Sequence, residues 1–239
     1  MTVSFSGPIR LKGSSDQVTG RQWYGGQDVT IPNTDIVSIY DDFTGAVFNA
    51  TDTWTVVKDS GASVLVGADV LHGVCALTSA ATTDADGASI QGNEVFAAVA
   101  GKELWFETRI APHDANDTDV WVGLTENFAT APENMGTAAN HIMFSLVEAT
   151  ALWVCRTESG GTPTATTTAI VPTDAGYNKL GFKVTGTSKV EFYIDGALVA
   201  THLTNIPTAN MALAASSVSG SATGTFVTNV DYLLCAAQR

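Results

Sequence analysis

The stretch VEFYIDGALVATHL, residues 190–203, constrains this chain more than any other. Val190, Phe192 and Ile194 fall on one face and Glu191 and Tyr193 on the other, the period-two alternation of a half-buried strand. Asp195-Gly196 then supplies the pair of residues that tolerates positive φ in a tight hairpin. Similar strand signals recur with turn signals between them: HGVCALTS (72–79), ELWFETRI (103–110), DVWVGLTE (119–126), HIMFSLV (141–147), LWVCRT (152–157), NKLGFKV (178–184) and TFVTNVDYLLCA (225–236). No segment carries an i, i+3, i+4, i+7 apolar stripe of helical length, so helices are expected to be few and short. Many strands without intervening helices predict an all-β, antiparallel two-sheet sandwich. The Thr-rich segment 159–176 is read as a connector containing an edge strand.

A chain of 239 residues, 45% hydrophobic, has enough apolar material for one sizeable core. Residues 1–38 differ from the rest: they show no sustained period, and Arg10, Lys12 and Arg21 balance Asp16, Asp28 and Asp35. The whole net charge of −13 therefore sits on the remainder. This predicts an irregular N-terminal arm, residues 1–38, and a jelly-roll body, residues 39–239. Eleven scattered basic residues in an acidic chain argue against a nucleic-acid partner. The start shows no secretory signal and no apolar run reaches bilayer length, so the expectation is a chain that begins at Met1, with no membrane insertion. Cys75, Cys155 and Cys235 are odd in number and sit in apolar strand-like stretches, as buried, reduced thiols do.

The order of the pieces IYDDFTG, DTWTVVKDSGASV, ELWFETRI, DVWVGLTE, YNKLGFKV, VEFYIDGALVATHLTNIP and VDYLLCA resembles the concanavalin A-like (laminin-G-like) jelly-roll domains of tailed-bacteriophage virion proteins, over roughly residues 38–236. The resemblance implies two stacked antiparallel sheets with the first and last strands adjacent, placing IYDDF beside VDYLLCA. It also implies a virion structural protein, made in the host bacterial cytoplasm and displayed on the particle surface as a capsid decoration or head-fibre protein. Its expected partner is the major capsid protein or another virion structural protein, and the expected assembly is a homo-oligomer, trimers being frequent in such roles. The arm is then the docking element, through Phe5, Ile9, Arg10, Lys12, Arg21, Trp23 and Tyr24. The alternative is a glycan-binding host-recognition module of a tail fibre or spike, in which Trp105 and Trp121 present aromatic faces to a cell-surface glycan.

Catalytic and metal chemistry have weaker signals. Glycosidases of this general fold place acidic residues at alternate positions of one strand, and Glu103 with Glu107 is the best candidate pair, but Trp105 stands where a middle acid belongs. The expectation is therefore a non-enzyme. Asp114, Asn116, Asp117 and Asp119 offer hard oxygen ligands suited to Ca²⁺, as does the shorter run 84–87, yet both lack the glycine and distal glutamate of a helix-loop-helix site. His72, His113, His141 and His202 have no zinc-ligand spacing. No cofactor and no metal are expected.

Overall fold

The computed structural model describes residues 36–239 apart from 46–47, 49, 51–52, 68–72, 81–82, 149 and 221–223, together with the backbone of residues 4–5 and 9–10. Strands are numbered in chain order. One sheet has seven strands in the order β12 (Thr162–Thr167), β11 (Leu152–Ser159), β10 (His141–Val147), β9 (Thr118–Thr125), β16 (Met211–Ser219), β7 (Gly87–Phe96) and β4 (Thr55–Lys58). The other runs β15 (Ala197–His202), β14 (Lys189–Ile194), β13 (Asn178–Thr185), β8 (Glu103–Ala111), β17 (Val227–Gln238), β6 (Cys75–Thr78) and β5 (Ser63–Val66), with β3 (Ile36–Asp41) also paired to β17. Two short strands, β1 (Ser4–Phe5) and β2 (Ile9–Arg10), pair with each other. All pairings are antiparallel, and the regular helical structure among the described residues is one 3-10 turn, Pro132–Thr137. The chain is an all-β jelly-roll sandwich, as the strand pattern predicts.

Alternation decides which side chains enter the space between the sheets. Val120, Val122 and Leu124 of β9, Ile142, Phe144 and Leu146 of β10, and Leu180, Phe182 and Val184 of β13 all point into one main core. Phe106 stacks on Phe182 at 4.7 Å between ring centroids, and Phe144 meets Phe192 edge-on at 5.3 Å. Each such ring removes enough apolar area from water to stabilise the fold by about 1.5–3 kcal/mol. Cys75, Cys155 and Cys235 are free thiols within this core, and burial pushes all three up, Cys155 to about 12.

The β14–β15 hairpin turns at Asp195 (φ 49°) and Gly196 (φ 84°), the two positive-φ residues the sequence called for. The first and last body strands also meet as expected, Tyr40 facing Leu234 and Asp41 facing Leu233. The edge strand in the Thr-rich connector is β12. Two long strands, β7 and β16, are absent from the expected set. β16, MALAASSVS, is buried at every position, so neither face is polar and no alternation marks it.

Candidate functional site

The outer face of the seven-stranded sheet, turned away from the main core, carries Asp119 at one end and His141 at the other. There Asp119, Trp121, Gly123 and Thr125 of β9 alternate with the core residues of that strand, as do His141, Met143 and Ser145 of β10. Gly123 lies where β9 and β10 approach closely: a Cβ added there would stand 2.4 Å from the Ile142 carbonyl oxygen. Register places Thr125 opposite His141, Gly123 opposite Met143 and Trp121 opposite Ser145. The β9–β10 connection folds back over this face. Its Phe128 and Met135 pack with Trp121, Met143, Val57, Ala214 and Val218 in a second apolar cluster.

At one end of the face, Glu148 donates its main-chain N–H to Asp119 Oδ1 at 2.7 Å. The Glu148 side chain lies against Gly220, the residue that follows β16, so it crosses the end of β9. Burial, followed by the charges of Glu148 and Asp84, pushes the Asp119 carboxyl up to about 6, against the opposing effect of that hydrogen bond. At the other end, His141 is fully buried, and its Nδ1 lies 2.8 Å from the Ala138 carbonyl oxygen. Burial pushes it down to about 4, so it is neutral at pH 7. Its Nε2 is 3.7 Å from Glu158 Oε2, beyond hydrogen-bond reach.

The residues singled out in the sequence are placed as follows. Trp105 and Trp121 do lie on outer faces, but Trp105 is 0% and Trp121 7% exposed, so both rings are covered by the protein in this arrangement. Trp105 packs with Leu234 and Ala236, with Ile36 and Tyr232 beside it. Glu103 is paired with Lys183 at 2.6 Å, and Glu107, 4% exposed, accepts the Tyr232 hydroxyl at 2.6 Å, so this pair is engaged within the protein. In the oxygen-rich stretch, Asp114 accepts the Asn116 main-chain N–H at 2.7 Å and Asp117 accepts Gly220 N–H through its carbonyl. Among the described residues no three His, Cys, Asp or Glu side chains gather as a metal site. His113 packs on Phe226, and His202 lies between Thr157 and Thr166 hydroxyls at 3.0 Å each. Of the docking-arm residues, Lys12, Arg21, Trp23 and Tyr24 lie outside the described residues, as does His72, and only the backbone of Phe5, Ile9 and Arg10 is described. Glu148, Phe128 and Met135 carry no sequence signal of their own. The register of the β9–β10 pair brings Glu148 to this face, and the fold-back of the connection brings Phe128 and Met135.

No family model and no curated protein matches the chain in sequence. Its fold is similar to that of an endo-1,3-β-glucanase from Streptomyces sioyaensis, with a TM-score of 0.60 and 15% identity over 86% of this chain and 98% of that one. It is similar also to the Crh5 transglycosylase, with a TM-score of 0.57 and 16% identity over 83% of each chain. A glycoside hydrolase family 16 endo-glucanase from Bacteroides ovatus gives a TM-score of 0.56 and 13% identity over 82% of this chain and 98% of that one. At these identities the likeness establishes the class: a concanavalin A-like jelly roll of the kind seen in glucanases. It also corrects two expectations. Nothing among these structures indicates a bacteriophage virion, capsid-decoration or tail-fibre protein, and all three are enzymes that act on glycans or are named for doing so, against the expectation of a non-enzyme. The physical reason for the error is that strand order and an Asp-Gly hairpin specify the sandwich, while function resides in the few residues mounted on it.

Proposed function

We propose that this chain is a carbohydrate-active enzyme that cleaves or transfers β-linked glucan chains, with Asp119 as the proton donor and Glu148 as its carboxylate partner. The observation that carries the reading is an acid raised to about 6 by burial and by a neighbouring carboxylate, on one face of a glucanase-like sandwich. Two carboxyl groups in distinct roles are the minimum equipment for breaking a glycosidic bond. Asp119, protonated near pH 5, gives its proton to the departing glycosidic oxygen as the bond to the anomeric carbon breaks. Glu148, as carboxylate, stabilises the positive charge that develops there. Water completes hydrolysis by adding hydroxide to that carbon and returning a proton to Asp119, and a sugar hydroxyl in the same position completes transfer.

The test uses laminarin and a mixed-linkage β-glucan, scoring new reducing ends and transfer to a labelled glucan oligosaccharide. Activity lost in both Asp119→Asn and Glu148→Gln, with each variant still folded and melting cooperatively, supports the assignment. Full activity in either variant, or no processing of either glucan by the native chain, refutes it.

A further inference from the structure

The β9–β10 connection, residues 126–140, is closed at its neck and laid flat on the sheet. Glu126 and Asn140 pair at the neck: Glu126 N–H donates to the Asn140 carbonyl at 3.1 Å, and Asn140 Nδ2 donates to Glu126 Oε1 at 2.7 Å. Such loops, with adjacent ends and their own side chains packed beneath them, move as units about the neck. A few latches hold the body down. Gln91 donates through Nε2 to the Phe128 carbonyl and accepts Phe128 N–H, while Ser216 Oγ donates to the Pro132 carbonyl at 2.8 Å. Gly136 rests on the Trp121 indole so closely that a Cβ there would stand 2.6 Å from Cε2 and 2.7 Å from Nε1.

The face on which this cover rests carries buried polar groups that find no partner. Trp121 Nε1, Thr125 Oγ1, His141 Nε2 and Arg156 Nε are buried without a hydrogen-bond partner. Thr125 and His141 are both fully buried and directly opposite on neighbouring strands, and Arg156 faces Met143 on the next strand. Donors and acceptors left unpaired on one face weaken the closed arrangement, and they match the alternating donors and acceptors of a polyhydroxylated chain. Met143 and the Trp121 ring supply the apolar surface that sugar C–H groups require.

We infer that residues 126–140 are an autoinhibitory lid, and that a glucan binds only when the lid swings off the outer face and uncovers the Trp121 indole beside the row Thr125, His141, Arg156. The inference rests on the proposed glucan-acting function and adds to it a closed, self-occupied state. Apparent affinity is then the intrinsic affinity reduced by the fraction of open molecules, so loosening the lid strengthens binding without any new contact.

Two variants loosen it independently: Gln91→Ala removes a latch, and Gly136→Val drives a side chain against the indole. The experiment combines hydrogen exchange of residues 126–140 with equilibrium binding of laminarin and mixed-linkage β-glucan oligosaccharides to the full chain. The expected result is local opening of 126–140 in the native chain, faster than exchange in β9 and β10, and glucan binding at least about threefold tighter in both variants. Exchange of 126–140 no faster than that of the strands beneath overturns the lid itself. Local opening with no gain in affinity in either variant overturns the gating. If the loosened variants also neither bind nor process any glucan, the proposed function fails with it.

Discussion

Glu148 holds Asp119 with its backbone and opposes it with its side chain: the main-chain N–H is donated to Asp119 Oδ1 at 2.7 Å, while the carboxylate charge raises the same acid. The hydrogen bond fixes the position of the carboxyl, and the burial and the charge keep it protonated to higher pH than a free aspartate. An acid is thereby both oriented and poised as a proton donor.

The first prediction follows from the sign of that shift. The Asp119 pKa rises from 3.8 to about 6 on folding, so within that window the folded chain holds a proton that the unfolded chain has released. Its contribution to stability is present at low pH and is lost as pH rises toward about 6. Asp119→Asn keeps the acceptor oxygen and removes the ionisation, so its melting temperature should exceed that of the native chain at pH 7.5 and converge on it at pH 4. An equal difference at both pH values would show that the shift is absent.

His141 titrates with the opposite sign. Its pKa falls from 6.5 to about 4 on folding, so the unfolded chain takes up the proton first and stability declines as pH drops through that window. Arg156, which lowers this pKa, Glu158 at 3.7 Å and the Ala138 carbonyl are the groups around it, and His202 shifts in the same direction through burial alone. Because Asp119 works against His141 between roughly pH 4 and 6, the two slopes partly cancel in the native chain. In the Asp119→Asn background, adding His141→Gln should flatten the loss of melting temperature between pH 7 and pH 4.5. An undiminished slope would remove His141 from the acid response.

What the sequence revealed and what it hid have a common cause. Period-two alternation is visible where one face is buried and the other is wet, so β14, with Val190, Phe192 and Ile194 against Glu191 and Tyr193, is legible. β16 is covered on both sides, by the core and by the β9–β10 connection, and its run of Ala and Ser shows no period. Trp105 and Trp121 face outward, as their alternation with Leu104, Phe106, Val120 and Val122 requires. Their burial is not legible, because neither the β9–β10 connection over Trp121 nor the neighbours of Trp105 on β17 and β3 leave a mark on the strand's own pattern. Asp119 drew attention as a member of an oxygen-rich run, whereas Glu148 becomes its neighbour only through the pairing of β9 with β10.

The hairpin at the centre of the sequence argument carries more than a turn. Asp195 accepts Asn178 Nδ2 at 2.9 Å and Lys179 N–H at 2.8 Å, tying the turn to the start of β13. A Cβ at Gly196 would meet nothing within 4 Å, so the penalty for Gly196→Val is backbone strain at positive φ, about 1–3 kcal/mol. Asp195→Ala leaves the Lys179 N–H without its carboxylate and should cost about 1–3 kcal/mol, with Asp195→Asn milder. Urea denaturation measures both, and an unchanged midpoint in Gly196→Val would show that the turn does not need its positive φ.

The sharpest test of the proposed pair leaves both carboxylates in the chain. Gly220 is buried under Glu148: a Cβ there would stand 2.6 Å from Glu148 Oε2 and 2.9 Å from both its Cβ and its Cδ. Oε2 and Cδ can rotate away, but Cβ moves only with the Glu148 backbone, so alanine displaces the carboxylate and shifts the chain at the end of β10 with it. Moving that carboxylate from Asp119 weakens the repulsion that helps raise the acid, so its pKa should fall, and a proton donor is lost at the pH where it is needed. Gly220→Ala is therefore expected to fold with a lowered melting temperature. Its glucan-cleaving rate should drop at least about tenfold, a loss of about 1.4 kcal/mol of transition-state stabilisation, and the basic limb of its pH–rate profile should move to lower pH. A rate and profile matching those of the native chain, alongside an unchanged Asp119 titration measured by carboxyl-carbon NMR, would separate Glu148 from Asp119 and end the two-carboxylate assignment.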